Sequence, residues 1–362
     1  MTDQPEPPVL VRVGGGLGSL TLNRPRVVNA LDDDMVGRIR GALDAWEHDP
    51  DVDAVLIDGA GDRGFCAGGD VRGLAGDVSG GRIDDVARFF RAEYALNARI
   101  AAYPKPLVAL ADGITMGGGV GLAGHAAIRI VTERSQLAMP ETRIGFTPDV
   151  GGTWLLGRAP GRLGEYLALT GATMDAADAI YAGFADHFVR AENLDGLRDA
   201  LRAGATASTL SGLVRRFEEV PAPSKLERAR AWIDDAFAAD TVAGIVERLR
   251  AAGATRALGE RERGEASASA DELEMLSPTG LAVTLASVRR ARELPDLRAV
   301  LEQEYALVLW FVATQPDLPE GIRAQVVDKD RTPHWQPATI ADLSPDAAAI
   351  ALAYVPETPL WA

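Results

Sequence analysis

The 362-residue chain is 47% apolar and 25% charged, with a formal net charge of -15, the composition of an ordered globular protein rather than a disordered one. That acidity argues against nucleic acid or an anionic membrane surface as the main partner, and with lysine only at Lys105, Lys225 and Lys329 an anionic ligand must rely on arginine. The single Cys66 rules out an intrachain disulfide, the four histidines lack metal-ligand spacing, and the N-terminus has no basic-then-apolar signal, so no structural metal, no membrane span and a cytoplasmic enzyme are expected.

In chain order, Leu10 to Val13 and Ser19 to Leu22 read as a hairpin across Gly14-Gly15-Gly16. Asp32-Asp33-Asp34 then opens an amphipathic helix, on which Met35, Ile39, Ala42, Leu43 and Trp46 keep the helical period. A strand begins at Asp53, and Phe65-Cys66-Ala67-Gly68-Gly69-Asp70 forms a glycine turn before Val71-Arg72. Residues 76–81 read as a loop and 83–102 as a second amphipathic helix. On that helix Phe89, Glu93 and Asn97 share a face, although Glu93 reads equally well as a solvated acid at the edge of the stripe.

Leu107 to Ala111 is a buried apolar strand, and Gly117-Gly118-Gly119-Val120-Gly121 follows as a turn into a helix, with His125 packed or exposed on it. Beyond Gly183 the β signals fade, except in 185–189. Helical periodicity runs from Leu194 to about Leu258 and recurs in Leu281 to Arg292 and Leu297 to Val312, with Ser277-Pro278-Thr279 as a cap and helix start. Pro221-Ala222-Pro223 and the charged 260–265 stretch read as connections. The chain thus divides into a core over 1–192 and a mostly helical region over 193–362, neither connection marking an independent domain.

Two glycine turns that each leave a backbone N–H unpaired could converge on one oxygen, which is what stabilising an oxyanion requires. Downstream stand two acids beside prolines, Pro140-Glu141 and Pro148-Asp149. Each has a plain structural reading, a helix-start acid and a turn. Cys66 reads as a small buried side chain without a histidine to activate it, and Arg72 and Lys105 read as solvated surface residues, with contact to a phosphate as the alternative.

Taken together, Arg24-Pro25 with Asn29-Ala30-Leu31, the 65–70 turn, Gly113-Ile114-Thr115-Met116-Gly117-Gly118-Gly119 and Met139-Pro140-Glu141-Thr142 resemble the enoyl-CoA hydratase/isomerase, or crotonase, superfamily. Arg91-Ala92-Glu93-Tyr94, Phe146 to Gly152, Ser277-Pro278-Thr279 and Asp328 to Trp335 resemble its 3-hydroxyisobutyryl-CoA hydrolase branch, and the likeness covers nearly the whole chain. The resemblance implies an α/β fold, a spiral of ββα units with a mostly helical C-terminal region. It implies a coenzyme A thioester as substrate, so that coenzyme A is no separate cofactor, and valine degradation as the setting. It places Gly69 and Gly118 as oxyanion donors, Glu141 and Asp149 as catalytic, Glu93, Gly118, Glu141 and Asp149 at the substrate, and Arg26, Val27, Ala67, Gly68, Gly69 and Asp70 at coenzyme A. Hydratases carry a second catalytic glutamate where this chain has Gly121, whereas the hydrolase branch has glycine there. Thr147 departs from a position that is commonly bulkier, which bears on the acyl pocket. A double-bond-shifting or hydrating crotonase and a catalytically inactive coenzyme A-binding member are the alternatives. The oligomeric state is open, a homo-oligomer included.

Overall fold

Short strands rich in Val, Leu and Ile alternate between two sheets. The computed structural model describes residues 6–71, 73, 76, 80 and 82–361. By their contacts these fall into two compact units, each drawn from separate stretches of chain: residues up to Asp70, Ala92–Ala138 and Met174–Pro223 in the first, and Val71–Arg91, Met139–Thr173 and the chain from Ser224 in the second. The first unit therefore takes in helices beyond residue 192, and the second takes 139–173 from before it.

In the first unit, β1 (Val9–Gly14) and β2 (Leu17–Leu22) form the expected antiparallel hairpin. The strands β3 (Ala54–Gly59), β5 (Leu107–Ala111), β7 (Ile128–Val131) and β9 (His187–Phe188) extend that sheet in parallel, in the order β1-β2-β3-β5-β7-β9. Between them β4 (Gly64–Cys66), β6 (Ile114–Met116) and β8 (Gln136–Ala138) build a separate three-stranded parallel sheet. From β3 to β9 every odd strand thus joins the large sheet and every even one the small sheet, which is the spiral of ββα units. One face of the large sheet, with Leu56, Val108, Leu110 and Ile130, packs on Leu194, Leu197, Leu201, Leu210 and Val214. These come from the helices Leu194–Arg202 and Leu210–Arg215. The helix Asp33–Trp46 starts as predicted, its N-cap Asp32 accepting from the Met35 N–H, and it buries Met35, Ile39, Leu43 and Trp46.

Asn29 holds the chain segment before this helix. Fully buried, with φ at 55°, its side-chain amide donates among the carbonyls of Ala60, Gly64 and Phe65, while its Oδ1 accepts from the Arg24 N–H. Asparagine suits that left-handed backbone and satisfies four main-chain groups. Replacing it with alanine strands those groups in a buried site and is expected to cost about 3 kcal/mol, read as a shift of the urea midpoint at unchanged slope.

The second unit is helical. Pro278–Ala291, capped by Ser277 with proline in its first turn, is buried along most of its length and packs on Gly152–Arg158, Leu163–Thr170 and Ala347–Leu352. Glu165, fully buried, sits among Arg162, Arg289 and Arg292. Burial alone would raise its pKa, but Arg292 and then Arg162 outweigh it and hold the carboxyl below its usual range.

Several expectations need correction. The 260–265 stretch is no connection but the first turns of the helix Glu260–Met275. Glu262 accepts from the Gly259 N–H, Arg261 pairs with Glu265 one turn on, and Ala266, Ala270 and Leu273 turn inward, so the charges mark a solvated helix face. Lys105 is not simply solvated: its Nζ donates to the Trp46 and Asp49 carbonyls, where the helix Asp33–Trp46 ends. His125 is buried in the turn after the helix Gly118–Ala123 rather than on it. Arg72 and most of the loop expected over 76–81 lie outside the described residues.

Candidate active site

The first unit brings together three of the expected residues, Gly69, Gly118 and Glu93. The glycine cluster is not a turn that precedes a helix: β6 comes between it and β5, only Gly117 is the cap, and Gly118 already begins the helix Gly118–Ala123. Gly117 has φ 48° and ψ -120°, a conformation open to glycine. In the other turn Gly68 has φ 104°, and its carbonyl accepts from Leu31 while Leu31 accepts from the Asp70 N–H. The chain thus passes Gly69 across Leu31, leaving the intervening N–H out of the ladder. Among the described residues neither the Gly69 nor the Gly118 N–H donates to a backbone carbonyl. The two groups are neighbours, since a Cβ built on Gly118 would lie 3.3 Å from the Gly69 nitrogen.

Glu93 closes the same space, its Oε1 only 2.6 Å from that built Cβ. It lies on the helix Ile83–Ala101 and is 2% exposed, which overturns the reading of a solvated acid. Asn97, one turn on, is also buried. Cys66 is fully buried as expected, and burial pushes its thiol up to about 12, so it is not a nucleophile at neutral pH. Of the residues expected at coenzyme A, Arg26 and Val27 lie exposed on the 3-10 turn Pro25–Val27, and Ala67 is exposed on the edge of the Gly68 turn. Asp70 is partly exposed and pairs with Arg24 at 3.2 Å.

The second unit brings Glu141 and Asp149 together with an acid that sequence reasoning missed, Glu304. Glu141 is the first residue of the 3-10 helix Glu141–Ile144, as its place after Pro140 suggested. It is 8% exposed, and its Oε2 has no hydrogen-bond partner among the described residues. Burial first, then the charge of Asp149 and more weakly that of Glu304, hold its pKa well above the ordinary carboxylate range. Glu304, on the helix Leu297–Thr314, is fully buried and raised to about 8, mainly by burial, against hydrogen bonds from Thr153 and the Gly151 N–H that pull it down. Thr147 is buried and its hydroxyl meets that of Thr284 at 3.0 Å.

A raised carboxyl keeps its proton in the native state when the unfolded chain has already released it. Native stability is therefore expected to fall as pH rises from about 4.5 towards 8, and denaturant titrations across that range read the slope. Glu304→Gln, which does not titrate, makes it shallower, with Glu141 supplying the remainder. An unchanged slope would show that another group causes it.

In the first unit two neighbouring backbone N–H groups donate to no backbone carbonyl among the described residues. The second offers a basic, under-solvated carboxylate fit for nucleophilic attack or for activating water.

Comparison with known proteins shows the family. The enoyl-CoA hydratase/isomerase family model matches residues 17–351. The chain is 40% identical over 346 residues to the mitochondrial 3-hydroxyisobutyryl-CoA hydrolase of Mus musculus, covering 93% of this chain and 86% of that protein, and 38% identical over 344 residues to that of Homo sapiens, with the same coverage. Among solved structures it is similar to a carnitinyl-CoA dehydratase from Mycobacterium thermoresistibile (TM-score 0.89, 44% identity, 98% of both chains). It is also similar to an enoyl-CoA hydratase from Rhodobacter sphaeroides (TM-score 0.88, 42% identity, 98% of this chain and 99% of that one).

Proposed function

This chain belongs to the enoyl-CoA hydratase/isomerase family, and on that premise we propose that it is an acyl-CoA thioester hydrolase whose substrate is 3-hydroxyisobutyryl-CoA. The observation that carries the proposal is Glu141, a buried carboxylate whose proton affinity is raised and whose Oε2 has no hydrogen-bond partner among the described residues. Structural acids are ordinarily satisfied; one held basic in a dry site is suited to chemistry.

In this reading the thioester oxygen takes the Gly69 and Gly118 N–H groups, which hold the oxyanion that forms on attack. Glu141 either adds to the carbonyl carbon, expelling the coenzyme A thiolate and leaving an anhydride that water opens, or removes a proton from the attacking water. On either route one water is consumed, the C–S bond breaks, and acid and free thiol leave. Asp149 and Glu93 orient the acyl hydroxyl or the water, or pass a proton to the thiolate. Arg26, Val27 and Ala67 to Asp70 take the coenzyme A moiety.

The similar solved structures are a dehydratase and a hydratase, which favours a second reading, addition or removal of water at a double bond. Gly121 speaks against it. Residue 121 lies in the helix Gly118–Ala123, at the position where the hydratases carry a second glutamate, and glycine can serve neither as acid nor as base there.

Thiol release from 3-hydroxyisobutyryl-CoA, its 3-hydroxypropionyl analogue and acetyl-CoA tests the proposal, alongside loss of enoyl absorbance with crotonyl-CoA. Release from the 3-hydroxyacyl thioesters at least about 100-fold above acetyl-CoA is expected, an energetic difference of a few kcal/mol from hydroxyl recognition. Crotonyl-CoA turnover without thiol release would overturn it.

A further inference from the structure

Glu304 makes no use of solvent and enters no ion pair among the described residues, yet it is wholly buried. Its two oxygens accept from the Gly151 N–H at 2.6 Å, the Thr153 N–H at 2.9 Å and the Thr153 hydroxyl at 2.5 Å. These donors lie in the turn directly after Asp149, where Val150 has φ 52° and Gly151 φ 77°. A left-handed valine is strained, because its branched Cβ crowds the backbone, so the turn needs an external hold. The Gly152 N–H also returns to the Asp149 carbonyl at 2.6 Å, which ties the acid itself to the turn. A side chain that does not titrate could secure this turn without burying an ionisable group, so a glutamate here is more than structure alone requires.

We propose that Glu304 is the positioning residue of this carboxylate site: through Gly151 and Thr153 it fixes the left-handed turn that presents Asp149. The inference rests on the hydrolase reading for its chemistry but on these hydrogen bonds for its geometry.

The neighbours leave Glu304 without a compensating cation among the described residues. On the helices packed against Leu297–Thr314, Arg158 stacks over Trp154 and donates to the Ala291 carbonyl, Arg289 reaches the Phe237 and Ala239 carbonyls and lies beside Glu165, and Arg290 donates to Leu352. Arg91 donates to Thr358 and Pro359 and lies over Tyr305. The titratable groups acting on Glu304 are therefore the acids Asp149 and Glu141.

The test compares wild type, Glu304→Gln and Thr153→Val with 3-hydroxyisobutyryl-CoA across pH, with folding followed by circular dichroism. Glutamine keeps the shape but faces an N–H donor with its own amide, while valine removes only the hydroxyl donor. For Glu304→Gln the expected result is kcat down about tenfold or more at a KM within about threefold, since presentation of Asp149 matters in the transition state. The acid limb of kcat/KM moves to lower pH, because Asp149, whose charge raises Glu141, is no longer held in place by the turn. Thr153→Val is expected to lose kcat by a smaller factor, with the limb unmoved. A folded Glu304→Gln protein with wild-type kcat and an unmoved limb overturns the proposal, and so does a loss of activity that only tracks the folded fraction. Should Glu304→Gln not fold, full activity in Thr153→Val overturns it. If wild type releases no thiol, the hydrolase reading fails by itself, and amide exchange decides this one: protection at Gly151 and Thr153 in wild type, lost in Glu304→Gln, upholds the hold on the turn, and equal protection refutes it.

Discussion

Glu141→Gln is expected to lower thiol release from 3-hydroxyisobutyryl-CoA by about 10³-fold or more while the protein stays folded, since it removes both a nucleophile and a general base. The size follows from the site. Glu141 is 8% exposed, and burial first, then Asp149, raises its proton affinity, so the amide removes the strong base that either route needs. The same substitution is expected to raise stability. A carboxyl whose native pKa lies above its unfolded value contributes stability that is lost as pH rises, and glutamine does not titrate. The variant should therefore melt at the wild-type temperature or higher, increasingly so towards alkaline pH, the pattern expected where a site is held at a cost to the fold. Calorimetry of the two proteins at two pH values, beside the thiol assay, checks both halves. More than a tenth of wild-type kcat in the variant would remove Glu141 from the chemistry, and a lower melting temperature at alkaline pH would show that its carboxylate stabilises the fold.

Local signals were legible in the sequence. The caps Asp32 and Ser277 sit where helix-start chemistry placed them, and β5 spans the residues its apolar run announced. The turn at Gly68 and the acid after Pro140 were readable because glycine and proline limit the backbone whatever surrounds them. What failed was inference from a short stretch of charge. The 260–265 run looks like a connection because its inward-facing alanines begin only at Ala266. Glu93 looks solvated because its burial depends on packing that no stretch of its own helix reports.

Glu304 was the hardest to see. It stands 153 residues from Gly151, the first of the groups it holds, and a lone acid within an apolar helix reads as an interruption. One signal was available: Val300, Leu301, Glu304, Val308 and Phe311 keep the buried period of that helix, so the acid occupies a core position. Alternation of strands between two sheets was likewise out of reach of local pattern, because β4, β6 and β8 have three residues each, too short to show periodicity.

Three glycines of the first unit are expected to respond to alanine in three different ways, and Gly118→Ala should show the largest loss of activity. Its added Cβ would lie 2.6 Å from Glu93 Oε1, 3.1 Å from Leu31 Cδ1 and 3.3 Å from the Gly69 nitrogen. The first two are ends of side chains that can shift, and Gly118 has no left-handed backbone to strain, so the fold should survive. The methyl group, however, sits on Gly118 itself and within 3.3 Å of the Gly69 nitrogen, so it takes up space beside both N–H groups. If a thioester oxygen binds there, thiol release falls by about 10²- to 10³-fold, the loss associated with removing one such donor. Gly119→Ala directs its methyl onto the Cys66 carbonyl oxygen, and backbone cannot yield as a side chain does, so this variant should lose stability by several kcal/mol. Gly69→Ala meets nothing within 4 Å and keeps its N–H, and should stay close to wild type in stability. Melting temperature and kcat/KM measured together separate the three: an inactive but stable Gly118→Ala beside an unstable Gly119→Ala supports the paired donors. Full activity in Gly118→Ala would instead mean that the thioester oxygen does not bind against these two nitrogens.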